Sequence, residues 1–163
     1  MSLGAAQHKI SARERGDDVV VTANGKPATA GFYRDADVIT LNHLEAAQAS
    51  GTHLYHAPEE TFHAVGTRLR ETLGVRNLLI TRREDGLTVF KGDGAYTDIP
   101  AHRVEVFDGT GAGDSTVAAL TLALAAGARV EDAAALGNAA GGAVVRKVGV
   151  ATATTDEIAA LFS

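Results

Sequence analysis

Asn77-Leu78-Leu79-Ile80-Thr81 is the stretch on which the fold turns. Three large apolar side chains follow one another with no polar residue between them, so a strand formed here must be covered on both faces. Such a strand belongs inside a parallel sheet with helices above and below it. The flanking sequence supplies them. Upstream, Pro58-Glu59-Glu60 puts a proline and two acids where a helix begins, and Phe62, Val65, Leu69 and Leu73 recur at helical spacing until Gly74. Before that, Asp37-Val38-Ile39-Thr40-Leu41-Asn42 reads as another buried strand, running into a short helix that Gly51 stops. Val19-Val20-Val21-Thr22 reads as a first strand broken by Gly25-Lys26-Pro27, and residues 7–15 as the end of a helix closed by Gly16. The order β, α, β, α, β with short connections predicts an α/β fold.

Downstream, residues 87–90, 95–99 and 104–107 read as short strands separated by Gly92-Asp93-Gly94 and by Pro100. They leave no room for crossover helices, so they predict an antiparallel edge on a mostly parallel sheet. Residues 112–126 are apolar nearly all round and predict a buried helix ended by Gly127. A second helix is expected over 131–146, where Gly137, Ala140, Gly141 and Val144 permit close approach to a neighbour. Thr154 with Glu157 three residues on predicts a capping box on a last helix. No repeat, low-complexity tract or linker interrupts the chain, and one domain is the economical reading.

Composition narrows the function. The chain has 163 residues, and 15 basic against 20 acidic side chains give a net charge of −5, without the basic stripe that nucleic acid or an anionic membrane selects. Neither is an expected partner. The absence of cysteine removes disulfides, thiolate catalysis and cysteine-ligated zinc, and accords with a cytoplasmic location. The six histidines (His8, His43, His53, His56, His63, His102) show no paired spacing within one helix, so they point to no metal site.

Phe107-Asp108-Gly109-Thr110-Gly111-Ala112-Gly113-Asp114-Ser115-Thr116 carries the chemistry. Glycines let backbone amides approach a ligand, and the first turn of a helix leaves N–H groups unpaired and partially positive. Together they make an anion hole. A carboxylate at its mouth makes sense if Asp114 accepts a proton from a nucleophile while the amides hold the phosphoryl group under attack. Asp is also a common plain helix cap, and local chemistry leaves both roles open. A dinucleotide fingerprint starting at Gly109 would need glycine where Asp114 stands, and a P-loop ending in Gly25-Lys26 would need glycine at Val20.

Asp108-x-Thr110-Gly111-Ala112-Gly113-Asp114, followed by a small-residue helix, resembles the signature of the ribokinase-like (PfkB) carbohydrate kinases. Asn42-His43-Leu44-Glu45 at a strand end resembles that family's Asn-x-x-Glu motif. Within the family, Thr81-Arg82-Arg83-Glu84-Asp85-Gly86 and Lys147-Val148-Gly149-Val150-Ala151-Thr152 are most similar to the kinase part of ADP-heptose synthases, which phosphorylate heptose 7-phosphate. Val21-Thr22-Ala23-Asn24 lacks the aspartate that heptose kinases tend to show there. The resemblance implies a ribokinase-like three-layer sandwich, present here as its C-terminal portion only. Residues 1–16 would be a helix end and possible cloning remnant, and 17–163 the nucleotide-binding portion.

It also implies roles. Asp114 would be the general base, with the amides of Gly111, Ala112 and Gly113 stabilising the transferring phosphoryl. Asn42 and Glu45 would hold magnesium through water and face the ATP phosphates. Thr81, Arg83 and Thr110 would meet the nucleotide, Asn138 and Lys147 would border the adenine, and Asp108 with Thr110 would hold a monovalent cation such as potassium. Asn24 and Lys26 fall where members often face the nucleotide. Family kinases are about twice this long, as an α/β enzyme built in two halves requires, and the other half provides most of the sugar site. The implied partners are a sugar or sugar phosphate and either a homodimer mate or a complementary N-terminal half; the isolated chain is expected to have little turnover. A non-catalytic module keeping the nucleotide or phosphate site is the alternative.

Overall fold

The computed structural model describes Gly16 and residues 19–162. The helix end read over 7–15 lies outside them. Two compact units make up the chain: the first takes the described residues up to Arg82 with Thr88–Thr97, and the second takes Arg83–Leu87 and the residues from Asp98 onward. No helix among the described residues is long and apolar enough to cross a membrane.

The first unit holds most of a five-stranded sheet in the order β1-β2-β3-β4-β5, with β1 at Thr22–Asn24, β2 at Val38–Asn42, β3 at Asn77–Thr81, β4 at Leu87–Phe90 and β5 at Tyr96–Ile99; Leu87, Asp98 and Ile99 fall in the second unit. β1, β2 and β3 run parallel, with Ala23 beside Ile39 and Leu41 beside Ile80. Leu78, Leu79 and Ile80 are fully buried, as a continuous apolar run requires. Helices α1 (His43–Ser50) and α2 (Glu59–Leu73) bring Ala46, Phe62, Leu69 and Leu73 into one core with Leu78 and Ile80, and each ends on a glycine with φ 66°, Gly51 and Gly74. The edge hairpin turns through Gly94, and Lys91 N donates to Ala95 O at 2.8 Å.

The first strand differs from expectation. Pairing begins at Thr22 rather than Val19, because the Asp37 carboxylate accepts from Val21 N at 2.9 Å, where a strand partner's carbonyl would otherwise sit. The core of this unit joins Ile39, Leu41, Leu69, Leu78 and Ile80 with Phe62 and Phe90. Gly66 in α2 lies directly under the Phe90 ring, where an added Cβ would fall 2.1 Å from Cζ.

The second unit is helical, with α3 at Ala112–Ala125, α4 at Val130–Val144 and α5 at Thr155–Ala159. Gly137 and Gly141 let α4 approach α3 as expected: a Cβ on Gly137 would meet Thr116 O at 2.8 Å, and one on Gly141 would meet Thr116 Oγ1 at 2.6 Å. Two expectations are corrected here. Residues 104–107 form no strand; instead Phe107 N and Asp108 N both donate to Val145 O, at 2.8 and 3.2 Å, which fastens the segment to the end of α4. The helix over 112–126 is not buried all round either. Within α3 only Thr116 and Leu120 are buried, and Leu122 is 71% exposed, since α4 covers a single face of it.

Candidate functional site

In the first unit the candidate residues lie at the carboxyl ends of the parallel strands, where open α/β sheets bind ligands. Asn42, the last residue of β2, stands beside Thr81, the last of β3. Asn24, the last residue of β1, pairs with Thr40, and Lys26 follows two residues further along the chain. Asn42 is also the N-cap of α1. Its side chain accepts from Glu45 N at 2.9 Å, and the Glu45 carboxylate accepts from Asn42 N at 2.8 Å through Oε2. The other oxygen, Oε1, accepts from Lys26 Nζ at 2.6 Å. The Asn-x-x-Glu spacing is thus a closed capping box with an ammonium on its outer edge.

These donors fit a hydrated magnesium ion. Asn42 Oδ1 and both Glu45 oxygens are hard donors, and each accepts one hydrogen bond here, leaving a lone pair for a metal-bound water. Direct coordination through Oε1 would require Lys26 to move.

The second unit holds the glycine-rich turn. Gly111 is the N-cap of α3 at φ 80°, a left-handed conformation that suits glycine, and no side chain caps the helix. Asp114 therefore lies at the third helical position, exposed and within the first turn, rather than at the cap. Its charge there is favoured by the helix dipole. Of the amides expected to form the anion hole, that of Ala112 is engaged in a long bond to Gly109 O at 3.3 Å. Gly113 belongs to the turn whose N–H groups have no acceptor within the helix.

Asp108 organises the turn from below. Its Oδ1 accepts from both the backbone N and the Oγ1 of Thr110, at 2.9 and 2.7 Å, and its Oδ2 accepts from Gly149 N at 2.9 Å. The hydroxyl of Thr110, then the Thr110 and Gly149 amides, hold the Asp108 carboxyl below its ordinary value against the opposing effect of burial. The carboxylate and the Thr110 hydroxyl are oxygen donors suited to a monovalent cation, although three of the carboxylate's roughly four lone-pair directions are in use.

The remaining predicted residues have other local partners. Lys147 Nζ donates to Thr152 O at 2.7 Å and Glu157 Oε2 at 2.8 Å, tying the turn after α4 to the capping box of α5. That ammonium, with Thr154 N–H added, depresses the Glu157 carboxyl to about 2. Asn138 Nδ2 donates to Pro100 O at 2.8 Å, a long-range bond rather than one within its helix. Arg83 is exposed at φ 55°, while its neighbour Arg82 is ion-paired with Glu59 and lies 4.3 Å over the Phe62 ring. Sequence reasoning missed the Lys26–Glu45, Asp108–Gly149 and Lys147–Glu157 contacts. Their separations of 19, 41 and 10 residues obey no local rule.

The model of the pfkB family carbohydrate kinases matches residues 4–157. The chain belongs to this family. It is 44% identical over 147 residues to the bifunctional protein HldE of Geobacter metallireducens, covering 90% of this chain and 29% of that protein. To the HldE of Paramagnetospirillum magneticum it is 40% identical over the same length and shares. The chain thus spans under a third of the curated relatives it matches. Among solved structures, phosphofructokinase-2 from Escherichia coli in complex with substrates and products superposes with a TM-score of 0.79 at 19% identity, over 99% of this chain and 52% of that one. Arabidopsis thaliana ribokinase complexed with ribose and ATP gives 0.76 at 20% identity, over 95% and 50%. The PfkB chain has the ribokinase-like α/β fold that its glycine motif implied, with a mostly parallel sheet.

Proposed function

We propose that this PfkB chain is the nucleotide side of an ATP-dependent sugar kinase, acting in the cytoplasm, and that heptose 7-phosphate is the acceptor. The position of Asp114 carries the reading. Gly111 occupies the cap, and Asp114 stands exposed in the first turn of α3, beside the first-turn amides. Asp114 takes the proton of a sugar hydroxyl as that oxygen bonds to the γ-phosphorus. The bond from that phosphorus to the β-γ bridging oxygen breaks, and ADP leaves with the electron pair. The amides of Gly111 and Gly113 offset charge on the transferring group, with Ala112 contributing where its bond to Gly109 lengthens further.

Asn42 and Glu45 hold the magnesium through water, and magnesium, when bound, neutralises phosphate charge. Thr81 and Arg83 meet the phosphates, Asp108 and Thr110 hold potassium, and Asn138 and Lys147 line the base through their carbon stems. The identity to HldE proteins supports the heptose assignment. The portion of those proteins that this chain does not match would provide the sugar site. A non-catalytic module is the second reading, and one observation favours it: Asn42, Glu45 and Lys26 are already hydrogen-bonded to one another.

Calorimetric titration of ATP into the chain, with and without magnesium, separates the two. A kinase site binds ATP more tightly with magnesium and loses about tenfold in affinity, near 1.4 kcal/mol, in Asn42→Ala. Binding that ignores both magnesium and Asn42 would leave only the module.

A further inference from the structure

We propose that Lys26 is an exchangeable counter-ion for Glu45: its ammonium sits on Oε1 in the absence of nucleotide and withdraws when a polyphosphate brings a divalent metal. The inference rests on the reading of Asn42 and Glu45 as metal-facing residues. The two oxygens of Glu45 are held very differently. Oε2 accepts from the backbone N–H of Asn42, which cannot leave without opening the cap of α1. Oε1 accepts from Lys26 Nζ at 2.6 Å, on a side chain that is 65% exposed, whereas that of Glu45 is only 13% exposed. Oε1 therefore has the one partner that can swing away. A lysine suits this, being a compact charge on a flexible stem rather than a rigid fork.

Charge decides when the exchange occurs. With Lys26 in place the Glu45–Lys26 pair is neutral and attracts a free divalent ion weakly. A polyphosphate carries negative charge that competes with Glu45 for the ammonium, so Lys26 turns to the phosphates as Oε1 is released. Lys26 thus couples metal binding to nucleotide binding, and coupling of this kind is reciprocal. No helix rule connects positions 26 and 45; the parallel register of β1 on β2 brings them together.

The test uses free Mn²⁺ without nucleotide, a hard divalent probe, titrated at low ionic strength into the 163-residue chain and followed by loss of the free-ion EPR signal. Lys26→Met is expected to bind Mn²⁺ about tenfold more tightly than the unaltered chain, since one positive charge about 6 Å from a divalent ion in a water-like dielectric is worth about a decade of affinity. Lys26→Gln gives a second neutral variant, and far-UV circular dichroism checks that each is folded. Adding Glu45→Gln to Lys26→Met is expected to abolish the gain. Unchanged Mn²⁺ affinity in both neutral variants, or a gain that survives Glu45→Gln, overturns the proposal. The ATP titration is judged separately. Magnesium-dependent ATP binding with no gain in Lys26→Met removes the counter-ion role and keeps the kinase site. A gain in Mn²⁺ affinity with no ATP binding does the reverse.

Discussion

Gly66→Ala is expected to destabilise the first unit although it places a better helix former in the middle of α2. The added Cβ would lie 2.1 Å from Phe90 Cζ and 2.4 Å from both Cε atoms. Ordinary contact begins near 3.4 Å, so the ring would have to retreat by about 1 Å at three atoms together. It has little space to do so, since Phe90 is 1% exposed and stands against Phe62 with ring centroids 5.9 Å apart. Overpacking at the upper end of its range costs about 3 kcal/mol. The helix propensity gained over glycine returns about 1 kcal/mol. The net loss is about 2 kcal/mol, which at a urea slope of about 2 kcal/mol/M lowers the midpoint by about 1 M. Far-UV circular dichroism during urea unfolding measures it. Phe90→Leu removes the obstructing atoms and alone leaves a small cavity costing about 1 kcal/mol. Combined with Gly66→Ala it should cost less than the sum of the single changes by about 2 kcal/mol. A midpoint that is unchanged or raised in Gly66→Ala, or strict additivity in the pair, would refute the packing argument.

Three further outcomes are expected. Glu157 is depressed from 4.5 to about 2, so its contribution to stability is complete above about pH 4.5 and fades as pH falls towards 2; NMR titration should show this, and Lys147→Met should move the midpoint upward, whereas a Glu157 already titrating near 4.5 would contradict the contact. Asp108→Asn puts an amide group against donors on both sides, so amide hydrogen exchange at Gly149 or Thr110 should accelerate, and protection retained at both sites would show that the turn is held by other means. Asp114→Asn in a complete kinase should lower turnover by at least about a hundredfold, the low end for losing a general base, and leave ATP affinity unchanged; undiminished turnover removes Asp114 from the chemistry.

Much of the architecture is legible in the sequence because its determinants are local. Leu78-Leu79-Ile80 cannot be half solvated, so a covered parallel strand follows. Gly51 and Gly74 end helices because the left-handed turn there favours glycine. Thr154 and Glu157 form a capping box across a fixed three-residue interval. The glycine turn ahead of Asp114 was legible for the same reason, since the left-handed backbone at Gly111 suits glycine. What failed was also instructive. Residues 104–107 have strand-forming side chains, yet Phe107 and Asp108 donate to Val145, a partner 37 or more positions away.

The sequence by itself determined most of the strands and helices and where they stop, and it held the motif that marks the family, because side-chain periodicity and backbone preference act over a few residues. Tertiary structure alone decided the company those residues keep. The register of β1 on β2 gave Glu45 an ammonium from Lys26, and the return of the chain after α4 gave Asp108 the amide of Gly149. It also settled that Asp114 stands within the first turn of α3 while Gly111 takes the cap. These are matters of distance between remote parts of the chain, and charge and hydrogen bonding act on distance in space, of which sequence spacing holds no record.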